Sequence, residues 1–211
     1  MIYISYEGLN KIMENGKLAY DYAWNNYDAL KNRETVHTLY GPNAYGIGAC
    51  SPGGCVKSVQ RKLQQKCRRK DYIRYELDGE YQILRNKSIC NYNETHCTYH
   101  HFHLNGTHYA CAFFKDQKLF YDGKIHAINC DRGRPVSYAD ISPSHMFAEF
   151  YEYLSDELVA VTVYDYFPNS AFTVSGLPAS REAPYGAPDS PVQVSYFERP
   201  VWQTDFSKWF E

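Results

Sequence analysis

Nowhere does this chain approach the roughly eighteen consecutive apolar residues that a membrane-spanning helix needs. Its opening, MIYISYEGLNKIMENGK, lacks a basic segment followed by an apolar one, so no secretory leader is expected. An excess of one charge is missing as well. Twenty-two Lys and Arg against 24 Asp and Glu leave a formal charge of −2, which argues against a protein that coats nucleic acid. There is no internal repeat. An even cysteine count is also absent: the 7 cysteines, at positions 50, 55, 67, 90, 97, 111 and 130, leave at least one outside any intramolecular disulfide. A reducing compartment, cytoplasmic or nuclear, with free thiols is the expectation. Asn86-Lys-Ser, Asn93-Glu-Thr and Asn105-Gly-Thr match the glycosylation acceptor pattern, and without a leader they read as chance.

What is present is apolar and aromatic surface, 44% hydrophobic residues with 21 Tyr, enough to bury a core for one domain, or one domain plus a tail. Residues 7–31 read as helix, with Leu9, Ile12 and Met13 on one face and Gly16 as its stop. Five Gly and two Pro make residues 40–55 a loop, and residues 56–69 read as a second helix. DYIRYELDGEYQIL predicts two strands broken at Asp78-Gly79. Residues 86–104, dense in Cys and His, read as a long polar loop. Strands are expected at 108–114 and 118–122, a helix at 144–155, and a last strand in ELVAVTVYDYF. Six of the ten prolines fall between Pro168 and Pro200. The chain therefore divides into a domain over 1–167 and a proline-rich arm over 168–211 that packs back on it, where VQVSYFER (192–199) has the alternation to pair with a sheet edge. Trp202, Phe206, Trp209 and Phe210 end the chain in a segment that docks on its own domain or anchors a partner.

The chemistry gathers at two places. In SPGGCVKSVQRKL, Cys55 sits where a helix begins, behind two glycines and before a basic helix, the setting that lowers a thiol pKa. A buried structural cysteine is the plainer alternative. His108 opens the strand HYACAFF, and Asp122 ends the next one, KLFYDG. With a three-residue turn, Asp122 lies on the same face as His108, offset along the strands, so that a bulge must bring them together. A nucleophile, a base and an orienting carboxylate would form a catalytic set. His126 and Asp131 are spare candidates.

Cys, then His at a strand start, then Asp on the following strand is an order that resembles papain-like cysteine peptidases. GGCVKSVQ and NGTHYACAFFKDQKLFYDG are similar to the nucleophile and histidine boxes of ubiquitin-specific proteases, although Gly53 stands where that family has an oxyanion-hole Asn. The short spacing from Cys55 to His108 looks more like compact members of the same clan, such as bacterial cell-wall peptidases and transglutaminases. The resemblance implies an α+β papain-like fold, an N-terminal helical lobe plus an antiparallel β-sheet lobe with the active-site cleft between them. It implies thiol-dependent acyl transfer by a cysteine peptidase or isopeptidase: Cys55 attacks, His108 shuttles the proton and Asp122 orients His108. The partner would be a protein or peptide substrate, ubiquitin-like among the choices, and no cofactor is implied.

Other readings stay open. YGPNAYGIGACSP, a helix and then RYELDG are similar to the NAD-cradling part of ADP-ribosyltransferases, in which Tyr45 and a later Glu would act. A catalytically inactive protein-binding domain is a further alternative. Cys90, His96, Cys97, His100, His101 and His103 fall within fourteen residues and offer ligands for a structural zinc, or a polar loop at the rim of the site. The basic helix 57–70 is either a solvated face or a docking surface for an acidic partner.

Overall fold

The computed structural model describes residues 2–41, 73–88, 97–114, 120–132, 134–156, 158–168 and 193–198. Among the described residues two helices, α1 (Tyr6–Asn25) and α2 (Tyr27–Lys31), precede ten strands: β1 (His37–Gly41), β2 (Ile73–Leu77), β3 (Ile83–Ser88), β4 (Cys97–Leu104), β5 (Thr107–Phe114), β6 (Phe120–Asp131), β7 (Arg134–Ser142), β8 (His145–Ser155), β9 (Leu158–Tyr166) and β10 (Gln193–Glu198). All ten form one antiparallel sheet in chain order, each strand beside its sequence neighbours. The papain-like fold is therefore overturned. Helical and sheet lobes do not face each other across a cleft; one long up-and-down sheet carries a helix on its outer face.

Several local expectations hold. Asp78 and Gly79 do break β2 from β3, and the Asp78 carboxylate accepts from the backbone N–H groups of Glu80 and Gln82, both at 2.9 Å. β9 occupies the run read as the last strong strand. β10 pairs with β9, Gln193 opposite Val163, and so forms one edge of the sheet. Other expectations fail. Residues 145–155 are strand β8 and not a helix, and much of the stretch read as a polar loop is strand β4. The expected helix at 56–69 lies outside the described residues.

Gly16 does not stop α1. The helix starts on Ser5, whose hydroxyl accepts from the Gly8 N–H at 3.2 Å, a normal cap, and runs through Gly16 to Asn25. A Cβ at Gly16 would lie 2.7 Å from Ile141 Cδ1. Glycine is there to let the helix approach β7. Ahead of the helix, the Ile2 and Ile4 N–H groups donate to Thr162 Oγ1 (3.1 Å) and the Tyr164 hydroxyl (2.8 Å), tying the segment to β9.

Two buried apolar layers line the two faces. The outer one joins Leu9, Met13 and Tyr20 of α1 to Cys111 and Phe113 of β5, Ile141 of β7, Met146 of β8, and Tyr164 and Tyr166 of β9. The inner one joins Leu39, Tyr75, Leu77 and Ile83, from β1 to β3, to Tyr138, Tyr151, Val159, Val161 and Val163, from β7 to β9. Seven strand spacings separate β2 from β9, over 30 Å in a flat sheet at about 4.8 Å each. Ala110 of β5 and Ile128 of β6 belong to the same layer, Tyr99 of β4 packs against it, and its buried residues are at most 5% exposed although α1 covers the other face, which is what a sheet curled upon itself gives. The sheet curls.

The end of α2 is fixed by two arginines. Arg85 Nε donates to Glu76 Oε2 at 2.6 Å, while its other nitrogens reach the Lys31 and Arg33 carbonyls and Thr35 Oγ1. Arg33 Nη2 donates in turn to the carbonyls of Leu84 (2.9 Å) and His101 (2.6 Å). Guanidinium groups satisfy the last helical carbonyls and carry the compensating charge there.

Gly16→Ala is expected to lower the melting temperature, although alanine favours a helix interior by about 1 kcal/mol over glycine. Ile141→Val removes the methyl group that obstructs the new Cβ. In a double-mutant cycle followed by thermal unfolding, the loss from Gly16→Ala should be smaller on the Ile141→Val background. Equal losses on both backgrounds would show that the close approach is not what requires glycine.

Candidate functional site inside the curled sheet

Strand alternation assigns each side chain to one face. On β4 it sends His101 and His103 inward and His100 outward, where the His100 ring meets Tyr27 and Phe113 edge-on. The cluster read as a zinc site is therefore split between two faces, and Cys90 and His96 lie outside the described residues. Asn105 and Gly106, at φ 51° and 81°, make the tight turn into β5, a geometry that this dipeptide favours. The turn sets His108 opposite His103 and Ala110 opposite His101. β6 continues the rows, with His126 opposite Ala110 and Ile128 opposite His108. Beyond it, Tyr138 pairs with Ile128 and Glu149 with Tyr138.

This register brings together a chain of polar groups on the inward face. His101 Nε2–H donates to Asn86 Oδ1. His101 Nδ1 then accepts, at 2.8 Å, from His108 Nε2–H. Asn86, at 2% exposure, is thus enclosed and engaged, which removes it as a glycosylation acceptor in the folded chain. On the next strands His126 Nδ1 and the Tyr138 hydroxyl share a hydrogen bond of 2.8 Å, and the Tyr151 hydroxyl donates to Glu149 Oε2. His101, His126 and Glu149 are all at most 1% exposed. Nearer the other end of the same face, His145 pairs with Asp165, and the His145 ring lies 4.6 Å from that of Phe167.

Burial holds both relay histidines neutral. It pushes His108 down to about 3, with His103 and Arg33 adding in the same direction. It pushes His101 well below its usual value, aided by His108, Arg33, His100 and His126. A neutral imidazole has one donor and one acceptor, so the chain from His108 through His101 to Asn86 fixes the tautomer of each ring.

Of the residues proposed for acyl transfer, His108 and Asp122 stand apart along the β5–β6 ladder. Asp122 lies between Phe120 and Ile125, which pair with Phe113 and Cys111 across an irregularity of the ladder. That is three to five residues along from His108, roughly 10–17 Å of strand. The bulge takes the aspartate away from the histidine. Cys55 lies outside the described residues. Tyr45, of the ADP-ribosyltransferase resemblance, and the basic segment 57–70 also lie outside the described residues. Of the spare candidates, His126 is inward and Asp131 ends β6 in an exposed position. No described helix is long and apolar enough to cross a membrane.

Asn86, Tyr138, Glu149 and Tyr151 were missed as site residues. The signal for the β4–β5 part was His-x-His followed by Asn-Gly, a tight turn that puts the next histidine opposite. The β7–β8 part had no local signal. No protein-family model matches the chain, and no curated protein or solved structure shows significant similarity to it.

The neutral histidines make stability depend on pH. A group whose pKa is lower folded than unfolded contributes fully above its unfolded value, near 6.5, and loses that contribution as pH falls toward the folded value. The folding equilibrium should therefore weaken as pH falls from 6.5 toward 3, by up to about tenfold per pH unit for each such histidine. Urea unfolding across that range checks this, and His108→Gln should flatten the profile. An unchanged slope in His108→Gln would assign the acid sensitivity to other groups.

Proposed function

We propose that the protein binds a small molecule inside the curled sheet. One observation carries this reading: the centre of the inward face is polar on successive strands, with Asn86, His101, His108, His126, Tyr138 and Glu149 where a purely structural core would be apolar. Hydrogen-bonded buried pairs add little net stability over apolar packing of the same volume. Held in fixed tautomers at low dielectric, the same groups make oriented donors and acceptors for a ligand.

The topology supports access from one end. The chain passes between strands after only a few residues at Leu77–Ile83, Leu104–Thr107, Asp131–Arg134 and Ser155–Leu158 at one end, whereas at the other end only Ser142–His145 is a tight turn and the strand ends Gly41–Ile73, Ser88–Cys97, Phe114–Phe120 and Tyr166–Gln193 are further apart in sequence. Long connections on a rigid sheet are where recognition residues gather, and the mouths of curled sheets are a recurrent place for ligands.

The walls indicate the ligand's character. Tyr75, Tyr99, Tyr138 and Tyr151 supply aromatic surface, His101 and His108 are neutral, and Asp140, Glu149 and Asp165 bring carboxyl groups to the same face. The ligand expected is planar, with hydrogen-bonding groups that match these side chains.

The test is fluorescence titration with the neutral dye N-phenyl-1-naphthylamine in the presence of EDTA. Saturable binding of one equivalent, weakened at least tenfold by His126→Phe in a protein of unchanged circular dichroism, supports the reading. Absence of saturable binding, or binding unaffected by His126→Phe and Tyr151→Leu alike, overturns it.

A further inference from the structure

We propose that His101, His103 and His108 form a three-histidine site for a divalent transition-metal ion of the zinc type, at the tight-turn end of the inward face. His101 and His103 alternate on β4, and His108 stands directly opposite His103 on β5. Two neighbouring strands thus turn three imidazoles to one side, a facial set that leaves a fourth coordination position open.

The ring spacing on either side of His108 suits such an ion. Imidazoles bound through nitrogen at about 2.0–2.1 Å hold their ring centres about 3.2 Å from the metal, hence about 5 Å from each other at tetrahedral angles. The His101–His108 ring centres are 5.1 Å apart and the His103–His108 centres 4.8 Å apart. The outer partner of one ligand is also in place. His101 gives its Nε2–H to Asn86 Oδ1, which leaves Nδ1 with its lone pair toward the shared centre. A metal-binding histidine commonly makes such a hydrogen bond through its other nitrogen, and the bond fixes the ring.

In the metal-free arrangement the His101 Nδ1 to His108 Nε2 contact is a hydrogen bond of 2.8 Å, and among the described residues no three ligating groups are already set around one position. Binding replaces the bridging proton. The His108 proton moves from Nε2 to Nδ1, its Nε2 lone pair turns to the ion, and the two nitrogens separate to about 3.3 Å. Both rings stay neutral, so no net proton is released. His103 is exposed and gives the ion a path from solvent. Arg33, bound to the His101 carbonyl, opposes the added charge, which favours an ion held by three nitrogens and exchangeable with solvent over a permanently sequestered one. This site lies at the opposite end of the sheet from the long connections, and its test does not involve the dye.

Cobalt(II) serves as the probe, because thiolate ligation gives a strong near-ultraviolet charge-transfer band that imidazole ligation does not. The full chain under reducing conditions is expected to bind one equivalent of cobalt without that band, and zinc should displace it. His103→Gln, a change at an exposed position, should weaken binding at least tenfold. Asn86→Ala should weaken it about tenfold or more with the stoichiometry kept. Cobalt binding that carries the thiolate band, binding equally tight in His103→Gln and His108→Gln, or no binding at micromolar metal would each overturn the proposal.

Discussion

Burial of both faces of a single curled sheet is the constraint on which the rest of the structure depends. One face takes α1 and the segment before it; the other is buried from β1 to β9 as the sheet curls upon itself. A sheet covered on both sides gives every residue of its central strands a packed environment, so any polar group placed there must find a partner within the protein. Much of that demand on the inward face is met by its own side chains: histidine to histidine to asparagine, histidine to tyrosine, tyrosine to glutamate. The outer face meets it at the end of α2, where Arg85 and Arg33 gather helix carbonyls, strand carbonyls and the Glu76 carboxylate. The outer cluster carries full charges because it also answers the exposed C-terminal carbonyls of a helix. The inner one is built largely from neutral rings.

The same constraint explains which elements were legible in the sequence. β2 and β3 were, because Asp78 is a strong local turn signal acting through its own side chain. β9 was, because its β-branched run reads as a strand whichever face is buried. By sequence alone β8 reads as a helix. Its inward residues Phe147, Glu149, Tyr151 and Tyr153 and its outward residues Met146, Ala148 and Phe150 are both packed, which erases the alternation of apolar and polar that marks a half-buried strand. What remains are scattered helix formers, Met146, Ala148, Glu149, Glu152 and Leu154, among aromatics that favour strands. β4 failed in the opposite sense: its inward histidines made a strand look like a loop. Gly16 looked like a helix stop because its reason for being glycine, the approach of Ile141, is tertiary.

The site was legible in part. His108 was recognised as a residue in a special position, and its place at a strand start was right. Its partner was misassigned, since an expected hairpin between 108–114 and 118–122 takes no account of a β6 that runs to Asp131 and bulges near its start. The true partner, His101, precedes it across a two-residue turn, and the second partner, Asn86, comes from β3, beyond the reach of a local reading. Register between strands distant in sequence decides such contacts, and one residue of slip would reverse every face.

At the centre of the account is the directed hydrogen-bond chain from His108 through His101 to Asn86, with both rings neutral. Nitrogen-15 NMR of the histidine side chains, at pH 7 and with metal removed by chelation, reads tautomer and charge directly. His101 and His108 are each predicted to be neutral, protonated at Nε2 alone, and to remain so as the pH is lowered to 5. Either ring found charged, or exchanging between tautomers at pH 7, would contradict the account.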